Sequence, residues 1–149
     1  MLFPKCLLKE KLQLVSLETP NNPVVMLKSI TVTGGARGLG YEMMSALAES
    51  GAAVACVDIL EENCLQATIK IAAECNVETS SWGCDVANDI AVAELFEKIV
   101  ERHGKVDILV TAAGINKVCP AVEYSAKDFS TIFQVNVNGT FYCMQQAAK

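Results

Sequence analysis

The chain has 149 residues, of which 52% are hydrophobic and 19% are charged, and its formal net charge is −5. This length suits a single domain, and the acidic balance argues against a nucleic-acid-binding protein, which needs a basic face. No run of about 18 uncharged apolar residues occurs, so the sequence predicts no membrane-spanning helix.

The seven cysteines are scattered through apolar segments, and no two of them have the Cys-x-x-Cys spacing. The chain has one histidine, His103, so the spacing of a zinc site is also missing. Such a pattern is typical of reduced, buried thiols. We therefore predict a cytoplasmic protein that has neither a metal site nor a disulfide framework.

The amino-terminal part of the chain is irregular. Short apolar pieces alternate there with Lys and Glu, and residues 19–23 read Thr-Pro-Asn-Asn-Pro, a strong turn signal. The unbroken apolar stretch of a secretory signal and the Arg-rich composition of a mitochondrial presequence are both missing. We interpret residues 1–23 as a loosely attached extension and predict a folded domain over residues 24–149.

Apolar runs alternate with amphipathic segments throughout that domain. The elements predicted in its first half are a strand over 24–33, a glycine-rich turn over 34–40, a helix over 39–50, a strand over 53–57 and a helix over 61–74. On the second of these helices, the 3.6-residue period places Leu65, Ile69 and Ala72 on the buried face.

The second half continues the alternation. Its predicted elements are a weaker strand over 78–84, a helix that ends before Gly104, a strand over 106–112 and a long helix that runs to the end of the chain. Asn88 and Ser125 are the predicted caps of the two helices, with Asp128 completing a capping box at the second. The predicted inner stripe of the first helix consists of Ile90, Leu95, Ile99 and Val100.

This order of elements predicts the fold class. Strands that are apolar on both faces need helices on both faces, which indicates a parallel α/β sheet. Right-handed crossovers then give a doubly wound, Rossmann-type sheet with strand order 3-2-1-4. The predicted domain is incomplete, because it stops after the fourth strand and the helix that follows.

The glycine-rich turn suits a phosphate group. Residues 33–40 read Thr-Gly-Gly-Ala-Arg-Gly-Leu-Gly, between the first strand and the first helix. Gly34 permits a tight turn, while Gly38 and Gly40 let the backbone approach a ligand and let the helix pack on the strand. The free N–H groups at the start of the helix would then face a diphosphate. The spacing is G-x-x-x-G-x-G rather than G-x-G-x-x-G or a nucleotide-triphosphate loop.

This spacing resembles the cofactor turn of the short-chain dehydrogenases/reductases. Three later segments agree with that family in order and distance: Asp58 after the second strand, Cys-Asp-Val at 84–86, and Asn-Val-Asn-Gly at 136–139. The resemblance covers residues 27–149. Within the family, the sequence of this segment is most similar to fungal polyol dehydrogenases of the mannitol, arabinitol and sorbose type. It implies an NAD(P)-dependent oxidoreductase of alcohols, polyols or ketoses.

The resemblance also implies a cofactor site at the strand ends. Its residues are Gly34, Arg37, Gly38, Leu39, Gly40, Asp58, Asp85, Val86, Ala112 and Gly114. Asp58 favours NAD(H), because its carboxylate can bond both ribose hydroxyls and would repel a 2′-phosphate. Arg37 stands where relatives meet that phosphate, so NADP(H) stays possible. In the family, Asp85 would bond the adenine amino group, beside the backbone of Val86.

The resemblance further implies that Asn136 is the catalytic asparagine, which in relatives holds a water connected to the active-site lysine. The sequence departs from the family at Thr111, where an Asn is usual, and this puts the bracing of the central strand in doubt. In relatives a tyrosine is the acid–base group, with a lysine four residues later and a serine that orients the substrate. No tyrosine here has that lysine; the residues found there are Ser45, Asp128 and Gln146.

We therefore predict that this chain carries only the cofactor-binding half and is inactive alone, as a truncated gene product or as a natural short form. Its full-length relative would act on a small alcohol or ketone and form a homo-oligomer. The alternative is a non-catalytic module that binds a dinucleotide or pairs with full-length subunits through its last helix. A methyltransferase shares a glycine turn and an acid after the second strand, but residues 33–40 and Asn136 argue against it.

Overall fold

The structure, a computed structural model, describes residues 28–149. The predicted extension over 1–23 and the first residues of the predicted strand over 24–33 lie outside the described residues. Within the described part, no helix is long and apolar enough to cross a bilayer.

Four parallel strands form one sheet. They are β1 (Ser29–Thr33), β2 (Ala53–Asp58), β3 (Thr79–Gly83) and β4 (Ile108–Thr111). Their order in the sheet is β3-β2-β1-β4, which confirms the predicted topology. Every residue of β1 is buried, because β1 lies between two neighbours and under helices on both faces. The carboxyl ends of β1, β2 and β4 therefore lie side by side.

In the described part of the chain, five α-helices connect and cover the strands. They are α1 (Gly38–Glu49), α2 (Glu61–Cys75), α3 (Asp89–His103), α4 (Ala126–Phe133) and α5 (Thr140–Ala147). A short 3₁₀ helix covers Ala121–Glu123 before α4. Both predicted caps are present: Asn88 Oδ1 accepts from the Ala91 N–H over 3.1 Å, and Ser125 Oγ accepts from the Asp128 N–H over 3.0 Å.

The predicted long helix is interrupted by a π-helical turn, Gln134–Gly139, between α4 and α5. The hydroxyl of Thr140, the first residue of α5, donates to the carbonyl of Asn136 over 2.9 Å. At the end of the turn, Gly139 packs so closely that a Cβ there would lie 2.8 Å from Val86 Cγ2. The hydrophobic period alone cannot show such a turn, because π-helical turns depend on local contacts, and they are frequent at functional sites.

Successive side chains of β2 alternate between two hydrophobic cores, one on each face of the sheet. Val54 and Cys56 lie in the first core with residues of α1 and α2. Ala55 and Val57 lie in the second core with residues of α3 and α5. This alternation follows from the two-residue period of a strand, and it confirms the expectation that helices cover both faces.

The buried face of α2 differs from the prediction. Leu65 and Ile69 are 42% and 56% exposed, and Ala72 is only half-buried. The buried residues form the neighbouring stripe: Cys64, Ala67, Thr68 and Ile71. Thr68 can be buried because its hydroxyl lies 3.0 Å from the carbonyl oxygens of Cys64 and Leu65, which satisfies its polar group.

Two of the four residues predicted for the inner stripe of α3 are confirmed as buried, and two are not. Leu95 and Ile99 are buried, whereas Ile90 and Val100 are 68% and 44% exposed. The stripe that faces the second core is Val92, Leu95, Phe96 and Ile99. These four positions follow the i, i+3, i+4, i+7 spacing of one helix face, and the two exposed residues lie outside it.

Candidate functional site: a cleft at the ends of the strands

The turn after β1 depends on Gly34. Its φ is +69°, and a Cβ there would lie 2.6 Å from the carbonyl oxygen of Ala112. The N–H of Gly34 donates to the Val57 carbonyl over 2.7 Å, which ties the turn to the end of β2. Only glycine therefore fits where β1, β2 and β4 converge.

The two later glycines of the turn have different roles. A Cβ on Gly40 would overlap the carbonyl oxygen of Gly34, so Gly40 lets α1 pack onto the turn. Gly38 has a φ of +59° and nothing within 4 Å of the position a Cβ would take. Gly38 thus presents bare backbone to open space, as expected where a ligand approaches.

The amino end of α1 opens into this space. The capping position is Arg37, which is extended, and its side chain does not cap the helix. The first turn of α1 contains no acidic residue. Its unpaired N–H groups and the helix dipole together favour an anionic ligand.

Asp58 ends β2 beside the glycine turn. Its carboxylate accepts from the N–H of Ala36 over 3.4 Å and from the N–H of Leu60 over 3.2 Å. These bonds hold the acid at the rim of the space in front of α1. The uncapped end of α1 and the carboxylate after the second strand are thus neighbours.

These features border one open cleft of about 560 Å³. All ten residues predicted for the cofactor site line it: Gly34, Arg37, Gly38, Leu39, Gly40, Asp58, Asp85, Val86, Ala112 and Gly114. The exposed Leu39 and the bare backbone of Gly38 lie on the α1 side. The cleft therefore combines the uncapped amino end of a helix, a carboxylate and apolar walls.

The cleft is also lined by six residues that were not predicted from the sequence. They are Ile59, Leu60, Cys84, Ala113, Ile115 and Val135. Four of them directly follow or precede an assigned residue, and Leu60 lies two positions after Asp58, so proximity in the chain could have indicated these five. Val135 could only have been found through its neighbour Asn136. Burial, and next the charge of Asp85, raises the pKa of the Cys84 thiol, so this side chain lines the cleft in its neutral form.

Asn136 does not line the cleft, but its side chain bonds a residue that does. Its Oδ1 accepts from the N–H of Ile115 and its Nδ2 donates to the carbonyl of Ile115, each over 2.9 Å. A Cβ on Gly114 would lie 3.3 Å from the same Oδ1. In this structure the side chain of Asn136 thus fixes the loop after β4.

The loop after β3 forms another wall of the cleft. Asp85 Oδ1 accepts from the N–H of Ala87 over 2.9 Å, which closes a tight turn. Val86 is buried against Gly139, while Asp85 is exposed at the cleft. The turn points the carboxylate outward while its neighbour anchors the backbone.

The end of β4 is braced without the usual asparagine. Thr111 is exposed, but the hydroxyl oxygen of its register partner Thr33 accepts from the N–H of Ala113 over 3.4 Å. At the start of β4, Asp107 accepts from the N–H of Ser29 over 2.8 Å. The bracing that Thr111 put in doubt thus comes from β1 and from Asn136.

A family model described as short chain dehydrogenase matches residues 28–149. The chain is similar to the D-threitol dehydrogenase of Mycolicibacterium smegmatis, with 32% identity over 82% of this chain and 46% of that protein. It is also similar to the D-arabinitol 2-dehydrogenase (ribulose-forming) of Candida tropicalis, with 34% identity over 82% of this chain and 48% of that protein.

Among solved structures, an NAD+-bound xylitol dehydrogenase is similar, with a TM-score of 0.78 and 31% identity over 81% of this chain and 46% of that one. The matched span is thus about half the length of these relatives. The match to the family model, together with the parallel sheet and the glycine turn, shows that the chain belongs to the short-chain dehydrogenase family.

Proposed function

We propose that this chain is the dinucleotide-binding part of an NAD(P)-dependent oxidoreductase that oxidises the CH–OH group of a polyol or reduces a ketose. The observation that carries the proposal is the cleft in front of α1, where unpaired backbone N–H groups face open space beside Asp58. The similarity to threitol and arabinitol dehydrogenases supports a polyol or ketose as the substrate class.

The cleft fits a dinucleotide along its length. The amino end of α1 would hold the diphosphate, and the backbone of Gly38 would lie against it. Asp58 would accept hydrogen bonds from the adenosine ribose, and Asp85 from the adenine amino group. A bound nicotinamide ring would supply or take up the hydride, while Ala112 and Gly114 would keep the wall next to it free of bulky side chains.

Asp58 favours NAD(H) over NADP(H). Its carboxylate is held at the cleft rim by two backbone N–H groups, and a 2′-phosphate there would face a fixed negative charge. Arg37 also lines the cleft and has no salt bridge to a carboxylate of the described residues, so it could meet such a phosphate. Ile59, beside Asp58, adds no second cation.

The test is the affinity of the Asp58→Ala variant for the two reduced cofactors, measured by titration calorimetry. The variant removes the carboxylate that would accept from both ribose hydroxyls, so NADH binding should weaken about 10- to 100-fold. NADPH binding should be unchanged or stronger, because the repulsion of the 2′-phosphate is removed as well. The control is Glu101→Ala, which removes an exposed carboxylate from α3. Equal losses for both cofactors would mean that Asp58 does not contact the ribose.

We further propose that this chain has no dehydrogenase activity by itself. Proton exchange with the substrate oxygen needs a positioned acid–base group, and none of the three tyrosines has a lysine four residues later. The expected result is no NAD- or NADP-linked oxidation of mannitol, arabinitol or sorbitol above a blank. Measurable turnover by the purified chain would contradict this.

A second candidate function is that of a subunit-pairing module. Its support is an apolar stripe on the outer face of α4, the π-helical turn and α5, defined by Phe129, Phe133, Val137, Phe141 and Met144. These residues are 48% to 57% exposed, and residues 129–148 contain no charged side chain. An uncharged apolar face suits a second copy of the chain or a full-length subunit.

A cytoplasmic location completes the proposal. The six cysteines among the described residues are free thiols, and four of them are buried. Free thiols persist in reducing compartments, which supports the cytoplasm.

A further inference from the structure

The π-helical turn contacts both loops that border the cleft. On the β4 side, Asn136 holds Ile115. On the β3 side, Gln134 Nε2 donates to the carbonyl oxygen of Ala87 over 2.9 Å, although the two residues are 47 positions apart in the chain. The turn therefore connects two walls that no strand pairing connects directly, since β3 and β4 are the two edges of the sheet.

Gln134 is itself held in one orientation. Its Oε1 accepts from Nδ2 of Asn138, over 2.6 Å, one helical turn later. Because that bond occupies the amide oxygen, the amide nitrogen is directed toward Ala87. Both hydrogen bonds are partly shielded from water, where such bonds contribute more than they do on an open surface.

The loop after β3 is anchored by Val86, which is buried in the second core, whereas Asp85 and Ala87 on either side of it are not buried. We call its residues 85–87 the adenine-side turn. The bond from the Ala87 N–H to Asp85 Oδ1 lies within that turn and does not fix its position. Its contacts with the π-helical turn are the bond from Gln134 and the packing of Val86 on Gly139. Asp85 is exposed, so its carboxylate depends on the backbone beneath it.

We propose that Gln134 is a positioning residue for the adenine end of a bound dinucleotide, because it fixes the adenine-side turn and with it the carboxylate of Asp85. This inference rests on the proposed function, since it requires the adenine amino group to donate to Asp85. Without the bond to Ala87, the turn gains freedom and the carboxylate loses its fixed position. Binding would then lose its preference for an amino group at that point of the base.

Two variants separate the two hydrogen bonds of Gln134. Gln134→Met keeps the volume of the side chain and removes both bonds. Gln134→Glu keeps the acceptor for Asn138 but places a carboxylate against the carbonyl of Ala87. The matched control is Gln145→Met, the same substitution at an exposed position of α5 that does not line the cleft.

The decisive measurement compares NADH with its analogue that carries hypoxanthine in place of adenine, in which an exocyclic carbonyl oxygen replaces the amino group and cannot donate to Asp85. The unaltered chain and Gln145→Met should bind NADH about tenfold more tightly than the analogue, the worth of one charge-assisted hydrogen bond. Both Gln134 variants should lower that preference to about twofold or less. Hydrogen exchange should quicken at the amides of residues 85–87 in those variants only.

An unchanged preference in the Gln134 variants, or unchanged exchange at residues 85–87, would overturn the inference. If Gln134→Met does not fold, Gln134→Glu provides the same two measurements. Failure of the unaltered chain to bind NADH would overturn the proposed function instead. In that case the exchange rates still decide whether Gln134 holds the turn.

Discussion

Gly34 determines the geometry of the cleft because it has no side chain. The hydrogen atom that takes the place of a Cβ faces the backbone of Ala112 and Ala113, at distances that no Cβ tolerates. Backbone cannot move aside as a flexible side chain can, so any larger residue must push β4 away from β1. The cleft is therefore as sensitive to this position as to any residue that would touch a ligand.

We predict that Gly34→Ala destabilises the chain by more than about 3 kcal/mol, since it combines a backbone clash with a left-handed φ. The control is Gly51→Ala, where φ is +88° but a Cβ would meet nothing within 4 Å. That variant should cost about 1–2 kcal/mol, from the backbone conformation alone. Urea denaturation of both measures the difference, and equal losses would show that the clash is relieved.

Single residues could be predicted where the signal was local. The glycine turn and Asp58 follow directly from short motifs, because the end of a parallel strand next to a helix start defines their surroundings. Gln134 had no such signal, since its partner Ala87 lies 47 positions away and any polar residue fits the sequence there. Contacts of that kind depend on the final packing of a helix against a loop.

Among the elements, α2 shows where the hydrophobic period is ambiguous. Two adjacent faces of this helix carry apolar residues at helical spacing. The prediction chose the face with Leu65 and Ile69, and the structure buries the other one. The structure buries Cys64, Ala67 and Ile71 together with Thr68, whose hydroxyl is satisfied by carbonyls of its own helix. Periodicity predicts the existence and length of such a helix, but the choice between adjacent faces depends on the shape of the sheet.

The end of α3 is joined to β3 by a chain of hydrogen bonds. The Trp82 indole N–H donates to Ser80 Oγ over 2.8 Å, and Ser80 Oγ lies 2.7 Å from Nε2 of His103. Burial lowers the pKa of His103; Glu78 raises it and Arg102 lowers it by smaller amounts. The folded chain therefore favours the neutral imidazole, whose Nε2 shares a hydrogen bond with the Ser80 hydroxyl.

This shift predicts a pH dependence of stability. A folded-state pKa below the ordinary value of 6.5 means that the unfolded chain takes up the proton first as the pH falls. The contribution of His103 is thus complete above pH 6.5 and is lost as the pH falls through the folded-state pKa. Melting temperatures between pH 7.5 and pH 5 should fall more steeply for the natural chain than for His103→Gln. Parallel curves would show that His103 does not contribute.

At the scale of the whole molecule, the two edges of the sheet differ. Both edge strands are half-buried, but the half-buried residues of β4 are the apolar Ile108, Leu109 and Val110, whereas most of those of β3 are polar. The apolar stripe lies on the helices that follow β4. Exposed apolar residues occur on α2 as well, but the apolar stripe groups five of them in a segment without charged side chains.

We predict that the apolar stripe drives self-association. Phe141→Lys places a charge in the middle of the uncharged face and should weaken the association at least tenfold, as expected for a central aromatic residue of an interface. Analytical ultracentrifugation over a range of concentrations measures this. Ile69→Lys is the control, because Ile69 is as exposed as Phe141 but lies on α2. A monomeric natural chain would contradict the prediction.

The position of Trp82 gives the molecule an intrinsic optical probe. It is the sole tryptophan of the chain, and it lies on β3 in register with Val57, one residue before Asp58 at the cleft. Indole emits light at wavelengths that a reduced nicotinamide absorbs and an oxidised one does not. Energy transfer from this indole would therefore report the redox state of a bound dinucleotide without any added label.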